Sequence, residues 1–172
     1  MQKIVLSGSA RTDGKTGFII TKLFPDHKIV KILDLNIEPC TNCNKCDKGN
    51  CILNDDFEYT IESMNGTFVL VSPIFFGGFP SYVKAFIDRF QYYWISQKKL
   101  NFDFSAIILH GEQVNRVFER VLEFTSKLIF NLLNADKTFF HIFHKFTFED
   151  LETVEKELLW VKEKIETVYS VK

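Results

Sequence analysis

Short apolar runs alternate with longer amphipathic segments along the whole chain. Most of the apolar runs are continuous, which is typical of parallel strands covered on both faces of a sheet. The runs that predict strands are Ile4–Leu6, Ile29–Leu33, Thr67–Val71, Ala106–Leu109 and Thr138–Phe143.

Helical periodicity fills the intervals between these runs. Apolar residues recur at helical spacing from Val83 to Phe90, from Phe118 to Leu132 and from Leu151 to Val168. Five strands that alternate with five helices predict an α/β fold, a three-layer sandwich around a five-stranded parallel sheet. Neither a repeat nor a linker interrupts the pattern, so residues 1–172 are predicted to form one domain.

The loop after the first strand, Ser7–Thr16, has the composition of an anion-binding site. Small residues let several backbone N–H groups point inward, and the following helix adds its N-terminal dipole. Hydroxyl groups and positive charges complete a set that suits a phosphate group. The predicted phosphate-binding residues are Ser9, Arg11, Lys15 and Thr16.

Two phosphate-binding motifs compete for this loop. Gly14-Lys15-Thr16 matches the end of a Walker A motif, but Ser9 stands where that motif requires its first glycine. The pattern Gly-Ser-x-Arg-x-x-Gly-x-Thr is matched from Gly8 to Thr16 without a gap. It resembles the phosphate loop of NADPH-dependent FMN reductases and is favoured. A P-loop-like nucleotide- or phosphate-binding protein is the alternative from a different class.

The loop after the third strand is suited to a flat aromatic ligand. Gly77 and Gly78 expose backbone N–H groups that can bond the edge of an isoalloxazine ring. Phe75 and Phe76 can stack on that ring or wall it. The predicted ring-binding residues are Pro73, Ile74, Phe75, Phe76, Gly77 and Gly78. His110, after the fourth strand, is a further candidate, although a histidine there is more often structural.

The two loops, with the segment Lys84–Arg89 after the second, resemble the NADPH-dependent FMN reductase and iron–sulfur flavoprotein families. The resemblance covers roughly the first two-thirds of the chain and implies a flavodoxin-like fold with strand order 2-1-3-4-5. It also implies bound FMN that is reduced by NAD(P)H and passes electrons to a small-molecule or protein acceptor, with no protein residue required as catalytic acid, base or nucleophile. Lys15 stands where many relatives carry Asn, and Phe75 where many carry Tyr.

Four cysteines lie within one short segment with the spacing C-x2-C-x2-C-x4-C. The four are Cys40, Cys43, Cys46 and Cys51. They resemble the compact cysteine motif of iron–sulfur flavoproteins, which implies a [4Fe–4S] cluster and an iron–sulfur electron carrier as an alternative function. The spacing is cramped for tetrahedral zinc, and reduced, unliganded thiols are an equally weighted alternative. The Asn54–Asp56 run that follows predicts a helix N-cap.

Composition and charge narrow the classes of partner. The formal net charge is −1, with acids and bases interspersed, which speaks against nucleic acid or a membrane surface. The apolar runs are too short to cross a bilayer and no leader peptide is visible, so a cytoplasmic protein with reduced thiols is expected. The 19 Phe predict a bulky core with apolar surface to spare. We therefore expect a homodimer or homotetramer, with Tyr92–Trp94 buried against the partner.

Overall fold

One parallel sheet of five strands organises the protein. The computed structural model describes residues 3–48, 51–112 and 114–170. The strands are β1 (Ile4–Ser7), β2 (Lys28–Lys31), β3 (Thr67–Pro73), β4 (Phe102–His110) and β5 (Ala135–Phe143). Their order is β2-β1-β3-β4-β5 and every neighbouring pair is parallel. The predicted flavodoxin-like strand order is confirmed.

Helices cover both faces of this sheet. They are α1 (Lys15–Leu23), α2 (Asp56–Ser63), α3 (Ser81–Asp88), α4 (Gln91–Ser96), α5 (Arg116–Leu133) and α6 (Leu151–Ser170). Apolar residues of α1 and α6 form one buried layer, and those of α2 to α5 form the other. The predicted three-layer sandwich is confirmed.

The central strand β3 shows why two helical layers are needed. All of its residues are buried, with Phe68 and Leu70 in one layer and Val69 and Val71 in the other. A strand that is apolar on both faces must be covered on both. From β1 the chain adds β2 on one side, and it then crosses over to add β3 on the other side. This switch in strand order leaves a crevice beyond the carboxyl ends of β1 and β3.

The edge strand β2 differs from the prediction. It ends at Lys31, and Ile32–Asp34 forms a 3-10 turn from which Ile32 enters the core. Ile29 is exposed, so the expected covering on both faces is wrong for this strand. Within this apolar run Ile32 is buried by the turn, whereas Ile29 and Leu33 are exposed, so an apolar run alone does not establish a strand covered on both faces.

The segment after β3 holds two helices where the sequence predicts one. The chain bends between α3 and α4 through two i→i+3 hydrogen bonds, from the N–H of Phe90 to Ile87 (3.0 Å) and from the N–H of Tyr92 to Arg89 (3.1 Å). The predicted helical pattern ends at Phe90, so the sequence analysis does not foresee α4.

The aromatic run of α4 lies mostly in the protein's own core. Tyr92 and Tyr93 are buried, and the Tyr93 ring packs near those of Phe57 and Phe90. The expectation that this run is buried against a partner is therefore wrong for both tyrosines, while Trp94 is exposed. None of the helices in the described ranges combines the length and apolar character needed to cross a bilayer.

Candidate flavin site

A cavity of about 580 Å³ opens beyond the carboxyl ends of β3 and β4. Among its lining residues are seven that the sequence predicts for the cofactor site: Lys15, Pro73, Ile74, Phe75, Phe76, Gly77 and His110. The remaining lining residues are Gly111, Glu112, Val114, Phe118 and Phe146, which sequence reasoning missed. A cavity of this volume with a mostly apolar wall is typical of small-molecule sites.

A tight turn forms one wall of this cavity. The N–H of Phe75 donates to the carbonyl of Gly78 (2.9 Å), and the N–H of Gly78 donates back to Phe75 (3.0 Å). Between them Phe76 and Gly77 have φ values of +49° and +75°, as in a type I′ turn. The Gly78 N–H is thus engaged within the turn, and the expectation that both glycines offer free N–H groups to a ring is wrong for Gly78.

The turn rests on the first part of α5. A Cβ added to Gly77 would lie 2.5 Å from the ring of Phe118. Both this contact and the positive φ require glycine at the position. Phe118 was assigned to a core stripe from its spacing, yet the structure places it against the turn and in the cavity wall.

The loop before α1 leaves the start of that helix open. Gly14 occupies the N-cap position and has no side chain to cap the first N–H groups. An added Cβ at Gly14 would lie 3.4 Å from Nη2 of Arg11, so the guanidinium lies beside the helix start. Ser9 accepts a hydrogen bond from the N–H of Arg11 (3.2 Å), which folds the loop back on itself. Helix dipole, guanidinium and open N–H groups together suit a phosphate group.

Two contacts join this loop to the elements that follow β3. The hydroxyl of Tyr82, on α3, donates to the carbonyl of Gly8 (2.9 Å). A Cβ added to Gly8 would lie 2.3 Å from Oγ of Ser72, so the ends of β1 and β3 approach too closely for any other residue. The phosphate-type loop and the aromatic turn are therefore held at the same edge of the sheet.

His110 links the cavity to α1. Its Nε2 is hydrogen-bonded to Oγ1 of Thr16 at 2.8 Å, and both side chains are buried. Burial, reinforced by the positive charge of Lys15, lowers the pKa of His110 to about 4. The imidazole is therefore neutral near pH 7, and it can donate one hydrogen bond and accept one without carrying a charge.

Lys15 forms an ion pair at the wall of the cavity. Its ammonium contacts the carboxylate of Glu112, and the hydrogen bond and charge from Lys15 lower the pKa of Glu112. The sequence assigns Lys15 to a phosphate group, whereas the structure places its ammonium on a carboxylate beyond β4. Glu112 is largely exposed, so the pair is open to solvent and to exchange of partners.

These features fit FMN at two points. The apolar cavity between Ile74, Phe75 and His110 suits a planar ring, and the uncapped start of α1 beside Arg11 suits its phosphate. Ser9 lies in the loop before α1 and Thr16 in the first turn of α1, and neither residue lines the cavity.

None of the four cysteines lines this cavity. Cys46 is buried and the other three thiols are partly buried, all unpaired. Burial, and then the negative charges of the Cys51, Cys40 and Cys43 sulfurs, raises the pKa of the Cys46 thiol. Within the described ranges no three His, Cys, Asp or Glu side chains stand together as a ready metal site. Residues 49–50 of the segment lie outside the described residues.

A buried arginine holds both ends of the cysteine segment. Arg89 forms an ion pair with Asp55, and the two side chains are 1% and 2% exposed. The guanidinium also donates to the carbonyl of Glu38 (3.1 Å) and to Sγ of Cys51 (3.4 Å). Asp55 caps α2 by accepting from the N–H of Phe57 (3.1 Å), which confirms the predicted N-cap.

Comparison with known proteins identifies the family. Residues 1–135 match the sequence profile described as NADPH-dependent FMN reductase. The chain belongs to that family. The resemblance to this family that was drawn from the two loops is confirmed.

The curated relatives of this FMN reductase family member include two iron–sulfur flavoproteins. One, from Methanocaldococcus jannaschii, is 28% identical over 99 residues, covering 52% of this chain and 51% of the relative. The other, from Archaeoglobus fulgidus, is 33% identical over 72 residues, covering 41% and 36%. The chain thus spans about half, or less, of the length of these relatives.

Solved structures share the fold over nearly the whole chain. The Trp repressor binding protein from Bacillus subtilis has a TM-score of 0.60 at 18% identity, covering 94% of this chain and 98% of its own. The NAD(P)H:quinone oxidoreductase from Methanothermobacter marburgensis has a TM-score of 0.63 at 9% identity, covering 100% and 99%. At such identities the likeness establishes the fold alone.

Proposed function

We propose that the protein is an FMN-dependent oxidoreductase that takes electrons from NAD(P)H and passes them to a small-molecule or protein acceptor. The observation that carries this proposal is the pairing, at one edge of the sheet, of an apolar ring-sized cavity with an uncapped helix start beside Arg11. FMN, when bound, supplies the hydride and electron chemistry itself.

In this proposal the protein's residues bind and orient the cofactor. Ser9, Arg11 and Thr16 would hold the phosphate, and Lys15 would add a positive charge to this group if its ion pair with Glu112 opened. Residues 73–77, which line the cavity, would hold the ring, and the neutral His110 would offer it a hydrogen-bonding group without a charge.

The direct test is the visible spectrum of anaerobically prepared protein, followed by titration of the flavin-free protein with FMN. We expect flavin absorption bands and tight FMN binding. Arg11→Gln should weaken FMN binding at least about tenfold, because it removes a charge-assisted hydrogen bond, and should leave riboflavin binding unchanged. Lys28→Gln, on the edge strand, is the matched control. A colourless protein that takes up Mg²⁺-ATP or Mg²⁺-GTP and not FMN would instead support the P-loop alternative.

We propose as a second function that the cysteine segment carries a [4Fe–4S] cluster that exchanges electrons with the flavin. Four thiols in one short segment are a suitable donor set, and the curated relatives bear the name iron–sulfur flavoprotein. Since the described residues hold no ready group of three ligands, the sulfurs would have to draw together on binding. The test is to measure the iron and acid-labile sulfide contents of anaerobically prepared wild-type protein and of the Cys43→Ser variant. We expect both contents to be lower in the variant. Four thiols that react freely in iron-free protein would support the unliganded alternative.

We propose, finally, a homodimer built on α5. Val117, Val121, Phe124 and Leu128 follow a four-three-four spacing and are all exposed, while the opposite face of the helix enters the core. Such spacing is the seam by which two helices pack against each other, and an apolar stripe of this length seldom stays in water. We also propose a cytoplasmic location, where thiols stay reduced and could bind a cluster.

A further inference from the structure

A second cavity lies at the amino edge of the sheet, opposite the candidate flavin site. Its volume is about 370 Å³. Its lining is mostly apolar: Val69 and Phe104 come from the starts of β3 and β4, Leu23 and Phe24 from the end of α1, and Ile165 from α6. All five side chains belong to the buried core. Because protein interiors seldom leave so much space unfilled, the cavity suits the apolar body of a small molecule.

Two exposed residues bring hydrogen-bond donors to this cavity. Lys3, just before β1, and Tyr169, in the last turn of α6, both line it. The ammonium of Lys3 donates to the hydroxyl of Tyr169 and lies 4.4 Å from the centre of its ring. The other N–H groups of this ammonium and the O–H of Tyr169 have no acceptor among the described residues. A negatively charged group that accepts hydrogen bonds would complement them.

His27 adds a polar group without a charge. Its ring packs edge-on against Phe24, with the ring centres 5.4 Å apart. Burial, reinforced by the positive charge of Lys3, lowers the pKa of His27, so the imidazole is neutral near pH 7 and Lys3 is the cation of the lining. The Nδ1 atom is buried and has no hydrogen-bond partner in the described ranges. Buried polar atoms are normally paired, so the lining is left with unused hydrogen-bonding capacity.

We propose that this cavity binds a small apolar carboxylate, an aryl or branched-alkyl acid whose body enters the cavity and whose carboxylate contacts Lys3 and Tyr169. Glu166 also lines the cavity, but its side chain is exposed, and in solvent its repulsion of a carboxylate is screened. The Lys3 ammonium, by contrast, is held at the cavity by Tyr169. No residue is shared with the candidate flavin cavity, so this inference is independent of the proposed function.

The test is calorimetric titration of FMN-loaded protein with naphthalene-2-carboxylate, and with naphthalene-2-methylamine as its cationic counterpart. We expect saturable binding of the acid and weaker binding of the amine. Lys3→Met should raise the Kd of the acid about tenfold, the size of a lost charge-assisted hydrogen bond. Tyr169→Phe, which keeps the ring and removes the O–H, should raise it about threefold, and Glu166→Gln should lower it about twofold. Lys28→Met, at an exposed lysine that does not line the cavity, is the matched control.

Three results would overturn the inference. The first is a wild-type protein that shows no saturable binding of the acid. The second is a Kd that stays the same in both Lys3→Met and Tyr169→Phe, because the acid would then bind elsewhere. The third is tighter binding of the amine that Glu166→Gln weakens, because the cavity would then select a cation. If the protein does not bind FMN, the proposed function fails, and the same titrations of the flavin-free protein still decide this inference.

Discussion

At the scale of single residues, the buried His110 makes stability depend on pH. Its pKa is about 4 in the folded protein because of burial and the nearby charge of Lys15, against 6.5 for an unperturbed histidine. As the pH falls from 6.5 towards 4, the unfolded chain takes up a proton that the folded protein does not. The free energy of unfolding therefore falls, by up to about 1.4 kcal/mol per pH unit from this group.

We predict that His110→Asn reduces this slope. Urea unfolding of the flavin-free protein at a series of pH values between 7 and 4, on the order of half a unit apart, measures the difference. His144→Asn is the control, since that side chain is largely exposed. Parallel curves for wild type and His110→Asn would show that His110 titrates normally in the folded state.

The ion pair of Arg89 and Asp55 is a second residue-scale determinant of stability. Arg89→Met leaves the Asp55 carboxylate buried without its partner, and we expect the free energy of unfolding to fall by about 3–5 kcal/mol. Lys84→Met on the same helix breaks an exposed pair with Asp88 and should cost less than about 1 kcal/mol. Equal effects of the two variants, measured by urea unfolding, would contradict a structural role for the buried pair.

Of the two roles of Asp55, the sequence predicts the N-cap but not the ion pair with Arg89. The N-cap role of Asp55 is a local signal, since the acceptor and the N–H of Phe57 are two positions apart. The pairing with Arg89 spans 34 positions, and the sequence Asp88-Arg89 suggests a surface helix end rather than a buried charge. Only the folded chain brings the two together.

At the scale of elements, the turn at residues 75–78 depends on one glycine more than on the other. Gly77→Ala would place a methyl group into the ring of Phe118 at positive φ. We expect it to lower the free energy of unfolding by about 1–3 kcal/mol and to weaken FMN binding.

The neighbouring glycine is the matched control for this substitution. The nearest atom to a Cβ at Gly78 is 3.9 Å away and its φ is not positive. Gly78→Ala should therefore change stability by less than about 0.5 kcal/mol. Chemical unfolding of the flavin-free proteins separates this effect from loss of cofactor contacts, and a larger loss for Gly78→Ala than for Gly77→Ala would refute the argument.

Element types were predictable where one physical signal dominates. The continuous run of β3 and the long stripe of α6 match the structure because burial sets their pattern. The stripe of α5 matches only in part, since Leu122 and Ile129 are buried and Val121 and Leu128 are exposed. The end of β2 was not predictable, since Ile32 stays buried while the backbone leaves the sheet. Among site residues, Phe118 was missed because its spacing also suits the core.

At the scale of the whole molecule, the proposed dimer rests on the exposed apolar stripe of α5. We predict that Val121→Glu with Phe124→Glu converts a dimer to a monomer, because it places charges in the apolar seam of both copies. Analytical ultracentrifugation measures the change. Leu159→Glu makes the same kind of substitution at an exposed position on α6, in the other helical layer, and should leave the assembly intact. If the variant with Val121→Glu and Phe124→Glu remains a dimer, the dimer must form through another face.

The anchoring of the cysteine segment has a consequence for how this fold can diversify. Because Arg89 holds Glu38 before the segment and Cys51 at its end, the chain between them is a closed loop whose ends are fixed by the body of the protein. Closing a flexible loop of twice the length costs only about 0.6 kcal/mol more. Insertions between those anchor points that leave the buried Cys46 in place would thus hardly affect folding, and natural variants could acquire or lose a redox centre there without a change in the rest of the fold.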